Sequence, residues 1–135
     1  MRFDTKIAIL VRNDLPTWQQ LNMTAFLVSG IAATTEAIGL PYEDASGRRY
    51  LPMFGQPVLV FAATEAELQI AYARAVAREL SLAIFTNDLF STGHDEANRA
   101  AVQAVVSDQL SLAGLALRAD RKAVDAVVKG ISLHS

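Results

Sequence analysis

The chain has 135 residues, of which 52% are hydrophobic and 19% charged, with a formal net charge of −2 and a pI near 5.6. This length and composition predict one globular domain over residues 1–135, able to bury roughly two-thirds of its unfolded surface. The acidic balance argues against a nucleic-acid-binding surface, and the absence of cysteine excludes disulfides, thiolate metal sites and a cysteine nucleophile.

The first predicted element is a strand over Lys6–Val11, whose nearly continuous apolar run is typical of a strand buried on both faces. A helix then begins at Pro16 and Thr17, where Thr17 and Gln20 fit a capping box. Because this helix is apolar on nearly every face, we expect a second helix or another subunit to cover it. We expect a soluble cytoplasmic protein, since polar residues in the uncharged stretch 15–35 disfavour a membrane helix and the run before it is too short for a signal peptide.

The middle of the chain alternates between irregular and regular patterns. Residues 40–56 predict a loop or short hairpin, in which Arg48, Arg49 and Tyr50 either close over a ligand or merely solubilise the tip. A second buried strand is predicted at Pro57–Ala62, followed by an amphipathic helix that Thr64 and Glu67 open as a capping box.

The C-terminal half continues the alternation. A third strand is predicted at Ser81–Phe85 and a third helix from about residue 95 to 106, with Thr92 or His94 as candidate caps. Leu115–Leu117 is a plausible fourth strand, and a last helix, capped by Asp120, runs through residue 128 to Gly130. This order predicts an α/β fold, a three-layer α/β/α sandwich with a mostly parallel four-stranded sheet.

Polar residues follow two of these strands, at the sheet edge where α/β proteins bind ligands. Arg12-Asn13-Asp14 ends the first strand, and Asn87-Asp88 follows the third. One hypothesis makes Asp14 and Asp88 the candidate catalytic carboxylates, with Arg12, Asn13 and Asn87 binding the ligand. The alternative is that Asp14 only organises the turn before Pro16 by pairing with Arg12.

A second polar cluster opens the third helix. Thr92 and His94 lie where backbone N–H groups favour an anion, and Arg99 could hold a bound carboxylate. The alternative is ordinary capping, with Thr92 as N-cap, Asp95 as its partner and no ligand. The single tryptophan, Trp18, is expected in the core rather than as a stacking surface.

The remaining motifs are informative by their absence. The sequence has no glycine-rich phosphate loop, no nucleophile elbow and no zinc-binding helix motif, and it has only two histidines. We therefore expect no metal and no cofactor.

Three segments together resemble a family of small bacterial proteins of unknown function: VRNDLPTWQQLN, FTNDLFSTGHDEANRA and GLALRADRKAVDAVVKGISL. That family is thought to share the fold of the type-II peptidyl-tRNA hydrolases. The resemblance implies a mixed four-stranded sheet between helices, in which one strand can run antiparallel, and a dimer like that typical of the hydrolases.

The match to the hydrolases themselves centres on Arg12-Asn13-Asp14-Leu15, which corresponds to their Arg-x-Asp-Leu strand end. Their following Gly-Lys-x-Ala-Ala-Gln helix start carries a functional lysine, whereas residues 19–24 here read QQLNMT and contain none. The missing cation would have held RNA phosphate or a developing oxyanion. The resemblance thus implies the fold more than the activity.

Three classes of function stay open. The first is a protein that binds a small polar or anionic molecule at the carboxyl-end edge of the sheet. The second is a hydrolase of an ester or amide bond, and the third is a homo-oligomeric interaction protein. A homodimer is expected, and neither nucleic acid nor a membrane is expected as a partner.

Overall fold

The computed structural model describes residues 2–135. Its elements in chain order are β1 (Thr5–Arg12), α1 (Thr17–Thr34), β2 (Tyr42–Glu43), β3 (Arg49–Tyr50), β4 (Val58–Ala63), α2 (Glu65–Ala77), β5 (Ala83–Thr86), a 3₁₀ helix (Asn87–Ser91), α3 (Asp95–Gln103), a second 3₁₀ helix (Ser107–Gln109), β6 (Leu112–Asp120), α4 (Arg121–Val127) and β7 (Ser132–Leu133). None of these helices combines the length and apolar character needed to span a bilayer.

Within residues 2–135 the central sheet has five strands, in the order β5-β6-β1-β4-β7. β1 pairs in parallel with β4, whereas the β1–β6, β5–β6 and β4–β7 pairs are antiparallel. The predicted α/β class is confirmed, but the predicted four-stranded, mostly parallel sheet is wrong. β6 lies between β5 and β1 and runs in the opposite direction. β7 is only two residues long, and the hydrophobic pattern of the sequence does not indicate it.

Helices cover both faces of the sheet. α1 packs on one face through Met23, Leu27 and Ile31. On the other face, α2 and α4 pack against alternate residues of the same strands, among them Leu10 of β1 and Leu115 of β6. This alternation explains the continuous apolar run of β1, because each of its faces meets a helix.

The helix ends test the capping predictions. The Thr64–Glu67 capping box of α2 is confirmed: Thr64 Oγ1 accepts from Glu67 N at 3.1 Å, and Glu67 Oε1 accepts from Thr64 N at 2.9 Å. The predicted box at α1 is wrong. Pro16 is the N-cap without any side-chain bond, and Gln20 instead donates to the Leu15 carbonyl at 2.8 Å. Asp120 precedes α4 but makes no capping bond through its side chain.

Residues 36–56 form a projecting hairpin, which we call the arm. β2 and β3 pair near its tip, and residues 41–50 are all exposed. Its base is fixed by two backbone hydrogen bonds of 2.8 Å, from Gly39 N to Met53 O and from Gly55 N to Ala37 O. The two glycine backbones approach so closely that a Cβ on Gly39 would lie 3.3 Å from the Gly55 Cα. The arm is thus the predicted short hairpin, standing away from the sheet.

Candidate functional site

The two polar segments that follow β1 and β5 meet at one edge of the sheet. Because β6 is antiparallel to both strands, β1 and β5 point in the same direction. Arg12 ends β1, and its Nη1 donates to Oδ1 of Asn87, the first residue after β5, over 3.4 Å. We call this edge, formed by Arg12, Asn13, Asp14, Asn87 and Asp88, the rim.

The Arg12 guanidinium forms an ion pair with the Asp14 carboxylate. Its Nε donates to Oδ1 over 2.9 Å and its Nη2 to Oδ2 over 2.7 Å, a bidentate pair. The Arg12 side chain is 13% exposed and that of Asp14 is 61% exposed. The hydrogen bonds from Arg12 lower the pKa of Asp14, and the same bonds raise the pKa of Arg12. A carboxylate with a lowered pKa is a weaker general base, so the geometry agrees with the turn-organising alternative for Asp14.

Asn87 is fixed by a residue that the sequence did not single out. Its Nδ2 donates to Ser111 Oγ at 2.5 Å, and its backbone N–H donates to the Ser111 carbonyl at 2.9 Å. Ser111 directly precedes β6, which begins at this edge because it runs opposite to its neighbours. The contact joins residues 24 apart in sequence, so no local pattern reveals it.

Two other rim residues are less constrained. Asn13 is exposed, and its backbone N–H donates to Ala63 O at 3.0 Å, which extends the β1–β4 pairing by one bond. Asp88 is exposed in the 3₁₀ helix and makes no side-chain hydrogen bond to any residue between 2 and 135. Thr86, which directly precedes Asn87, is 2% exposed, and its hydroxyl lacks a hydrogen-bond partner among the described residues.

The second polar cluster lines a groove beside this edge, between α1, β5 and α3. Two cavities of about 480 and 290 Å³ make up this α1–α3 groove. They are adjacent, because both are bounded by Phe26, Phe85, Leu89, Asp95 and Asn98. Their volumes fall in or near the range of small-molecule sites in proteins.

Aromatic rings form one wall of the smaller cavity. Trp18 and Phe90 meet edge to face with centroids 6.2 Å apart, and Phe85 lies 4.8 Å from Phe90 and 5.9 Å from Phe26. Trp18 is 61% exposed, so the prediction that it belongs to the core is wrong. α1 is apolar on several faces but only one packs on the sheet, which leaves Trp18 and Phe26 on the groove side.

Polar groups from the start of α3 form the facing wall. His94 is the N-cap, and its Nδ1 accepts from the Ala97 N–H at 3.2 Å. The Thr92 hydroxyl lies 3.1 Å from the Leu89 carbonyl oxygen and contacts the Asn98 carboxamide. Of the two predicted caps, His94 therefore serves α3, while Thr92 fixes the orientation of Asn98.

The start of α3, beside the groove, carries more negative than positive charge. Arg99 pairs with Asp95 one turn earlier, and Glu96 adds a further carboxylate to the first turn of α3. These acidic groups already interact favourably with the helix N-terminus. The anion that the sequence predicted here would therefore meet the Asp95 carboxylate in the groove and an arginine that is already paired with it, with Glu96 on the same helix turn.

The predicted site residues thus fall into two neighbouring groups. The rim gathers five of them, and the groove is lined by Thr92, His94 and Arg99. Sequence reasoning missed Asn22 and the aromatic wall, because these side chains come from α1 and from the segment after β5. The helical spacing of Trp18, Asn22 and Phe26 was the available signal, since residues four apart share a helix face.

The fold and site define a small mixed α/β protein with an open aromatic groove at one edge of its sheet. The chain belongs to the DUF2000 family, described as a protein of unknown function, whose model matches residues 5–135. A solved structure of a protein of unknown function from Agrobacterium tumefaciens strain C58 is 45% identical, with a TM-score of 0.95. The match covers 99% of this chain and 100% of that one. No curated protein matches the chain.

Proposed function

We propose that this protein binds a small, uncharged molecule with a planar ring in the α1–α3 groove. The observation that carries this proposal is the composition of the 290 Å³ cavity, in which aromatic rings face oriented hydrogen-bonding side chains. Ligand sites in proteins combine mostly apolar walls with a few placed polar groups in this way.

The two carboxamides give the cavity its selectivity. Asn22 of α1 and Asn98 of α3 both line it, and each offers a donor and an acceptor side by side. Such a pair matches a heteroaromatic ring or a ring amide that presents an acceptor beside a donor, as in the pairing of asparagine with adenine. Trp18 and Phe90 would then contact the ring itself.

Charge favours a neutral ligand over the anionic one that the sequence also allowed. Asp95 pairs with Nη1 of Arg99, so a bound carboxylate would compete with Asp95 for this arginine. The carboxylates of Asp95 and Glu96 at the same helix start would repel an anion.

A peptidyl-tRNA hydrolase-like fold and a hydrolytic reaction at the rim have weaker support. They rest on the Arg12-Asn13-Asp14-Leu15 segment and on the exposed carboxylate of Asp88, the general base in this second proposal. The pairing of Asp14 with Arg12 weakens that scheme for Asp14. Small-ligand binding in the cytoplasm is therefore the function we put forward.

Intrinsic fluorescence tests the proposal directly, because Trp18 is the single tryptophan and lines the cavity. The probes are adenine and benzamide as neutral rings and benzoate as an anionic one of matched shape. Each is titrated into the wild type and into Asn98→Ala, with Asn13→Ala as a matched control that removes an exposed rim carboxamide. Thermal unfolding of each variant checks that it remains folded.

We expect the neutral probes to change the Trp18 emission and to raise the Tm, since binding stabilises the folded state. Loss of one hydrogen bond in Asn98→Ala should weaken binding about fivefold to tenfold, with no change in Asn13→Ala. Binding that Asn13→Ala abolishes and Asn98→Ala preserves would place the site at the rim instead. Tighter binding of benzoate than of benzamide would contradict the neutral-ligand proposal.

A further inference from the structure

The arm exposes large apolar side chains that nothing in the protomer covers. Leu40 is 86% exposed and Leu51 is 85% exposed, while Met53 reaches 60% and Tyr42 and Tyr50 nearly half. An isolated two-stranded hairpin is marginally stable in water, because it has no core of its own. These side chains therefore form a surface that lacks a covering partner within the protomer.

Hydrogen bonds at its tip and base nevertheless give the arm a defined conformation. At the tip, Asp44 accepts hydrogen bonds from the backbone N–H groups of Ser46 and Arg48 at 2.9 and 3.0 Å and from the Tyr50 hydroxyl at 2.7 Å. At the base, the Gly39–Met53 and Gly55–Ala37 backbone bonds fix where the arm leaves the domain. A surface presented in a fixed direction binds without first losing the conformational freedom of a loose loop.

The base of the arm packs on the α1 side of the sheet. Phe54 and Ala37 at the arm base pack in the same cluster as Val28 of α1 and Val60 of β4. Between α1 and β4 lies a cavity of about 340 Å³ with mostly apolar lining, and beside it Leu21 is 67% exposed. The arm and this face of α1 thus lie on the same side of the sheet, and we call them together the arm patch.

We propose that this patch binds a second copy of the chain through the arm and the adjoining face of α1. From their exposed fractions, the five arm residues and Leu21 expose roughly 800 Å² in total, of the same order as the about 800 Å² that each partner buries in a standard interface.

The charges of the arm suit a two-fold contact between identical copies. One side of the hairpin carries Glu43 and Asp44, and the other carries Arg48 and Arg49. A two-fold axis can place the acidic side of one arm beside the basic side of the other, which is the self-complementarity that an isologous interface requires. Among residues 2–135 the exposed Glu43–Arg49 pair, at 3.3 Å, is the ion pair formed by these side chains, and Asp44 accepts the hydrogen bonds of the arm tip.

Light scattering coupled to size-exclusion chromatography tests the proposal on the full chain. The wild type is compared with the double variant Leu40→Asp, Leu51→Asp, and with Val106→Asp as the control. Val106 is also apolar and 67% exposed, but it lies after α3, away from the arm. Far-UV circular dichroism confirms that each variant is folded.

We expect the wild type to have twice the chain mass of 14.6 kDa and the double variant to have the single-chain mass. Its dissociation constant should rise at least about 30-fold, the effect of losing one central interface anchor. Val106→Asp should remain dimeric. A wild type that stays monomeric at high micromolar concentration, or a folded double variant that stays dimeric, would overturn the proposal.

Discussion

The packing of α1 on β6 can be tested by adding a single methyl group. Gly114 is the third residue of β6 and lies opposite Val11, with α1 packed against it. A Cβ at this position would lie 2.6 Å from Met23 Sδ, 2.7 Å from the Leu10 carbonyl oxygen and 3.2 Å from Leu27 Cδ1. The methionine can move, but the carbonyl belongs to the central strand. We therefore expect Gly114→Ala to force β6 or α1 out of place.

The magnitude follows from two opposing terms. Overpacking a dense core costs about 1–3 kcal/mol, whereas replacing glycine by alanine stabilises by about 0.4–1 kcal/mol through the unfolded chain. Gly93→Ala is the matched control, because a Cβ on Gly93 meets nothing within 4 Å. Both alanine variants gain the same stabilisation through the unfolded chain. The difference between their free energies of unfolding therefore gives the steric cost at Gly114, about 2 kcal/mol.

Thermal unfolding measures the difference. For a chain of this length, about 2 kcal/mol corresponds to a Tm lower by about 6–10 °C in Gly114→Ala than in Gly93→Ala. Denaturant titrations should show a lower midpoint with an unchanged slope, since the folded state keeps its overall burial. Equal stability of the two variants would refute the close approach of α1 to β6.

Three further predictions concern single side chains. Thr64→Ala should cost about 1 kcal/mol through loss of the α2 capping box, whereas Thr17→Ala should be nearly neutral because α1 has no side-chain cap; urea unfolding of both distinguishes them. Thr86→Val should leave stability unchanged or raise it by up to about 1 kcal/mol, because it removes a buried hydroxyl that lacks a partner among the described residues; a clear loss would indicate that the hydroxyl is satisfied. Finally, the lowered pKa of Asp14 means that its pair with Arg12 stabilises the fold above the ordinary carboxyl range and loses this effect as the pH falls through the Asp14 pKa. Since Asp14 is largely exposed, Asp14→Asn should cost at most about 0.5 kcal/mol at pH 7 and progressively less as the pH falls through the Asp14 pKa. Carboxyl NMR titration should show the Asp14 pKa return to its ordinary range in Arg12→Gln.

Local sequence patterns predicted the buried strands and the α2 cap, because these depend on neighbouring residues. They failed on β6, whose nine residues were predicted only as Leu115–Leu117. Small residues such as Ala113 and Gly114 weaken the strand signal, yet they are small because α1 packs on them. A single sequence shows the small residue but not the helix that requires it.

The candidate site likewise has a part that the sequence predicted and a part that it did not. The meeting of Arg12 and Asn87 followed from the rule that strand ends share an edge. The role of Ser111 required knowing that β6 runs antiparallel, and the groove required knowing which face of α1 stays open. A helix with apolar residues on nearly every face does not indicate which face stays exposed, and for this reason the sequence placed Trp18 in the core.

The groove and the arm patch lie on opposite sides of α1, and this placement separates the two proposals experimentally. The groove adjoins β5 at one edge of the sheet, whereas the arm base adjoins β4, three strands away in the order β5-β6-β1-β4-β7. Phe26 of α1 faces the groove, and Leu21 lies beside the cavity over β4. Because neither surface contributes a residue to the other, the Leu40→Asp, Leu51→Asp variant should bind the neutral ring probes as the wild type does. A linked loss of dimer and binding, seen as an unchanged Trp18 emission in the monomeric variant, would mean that the partner copy completes the groove.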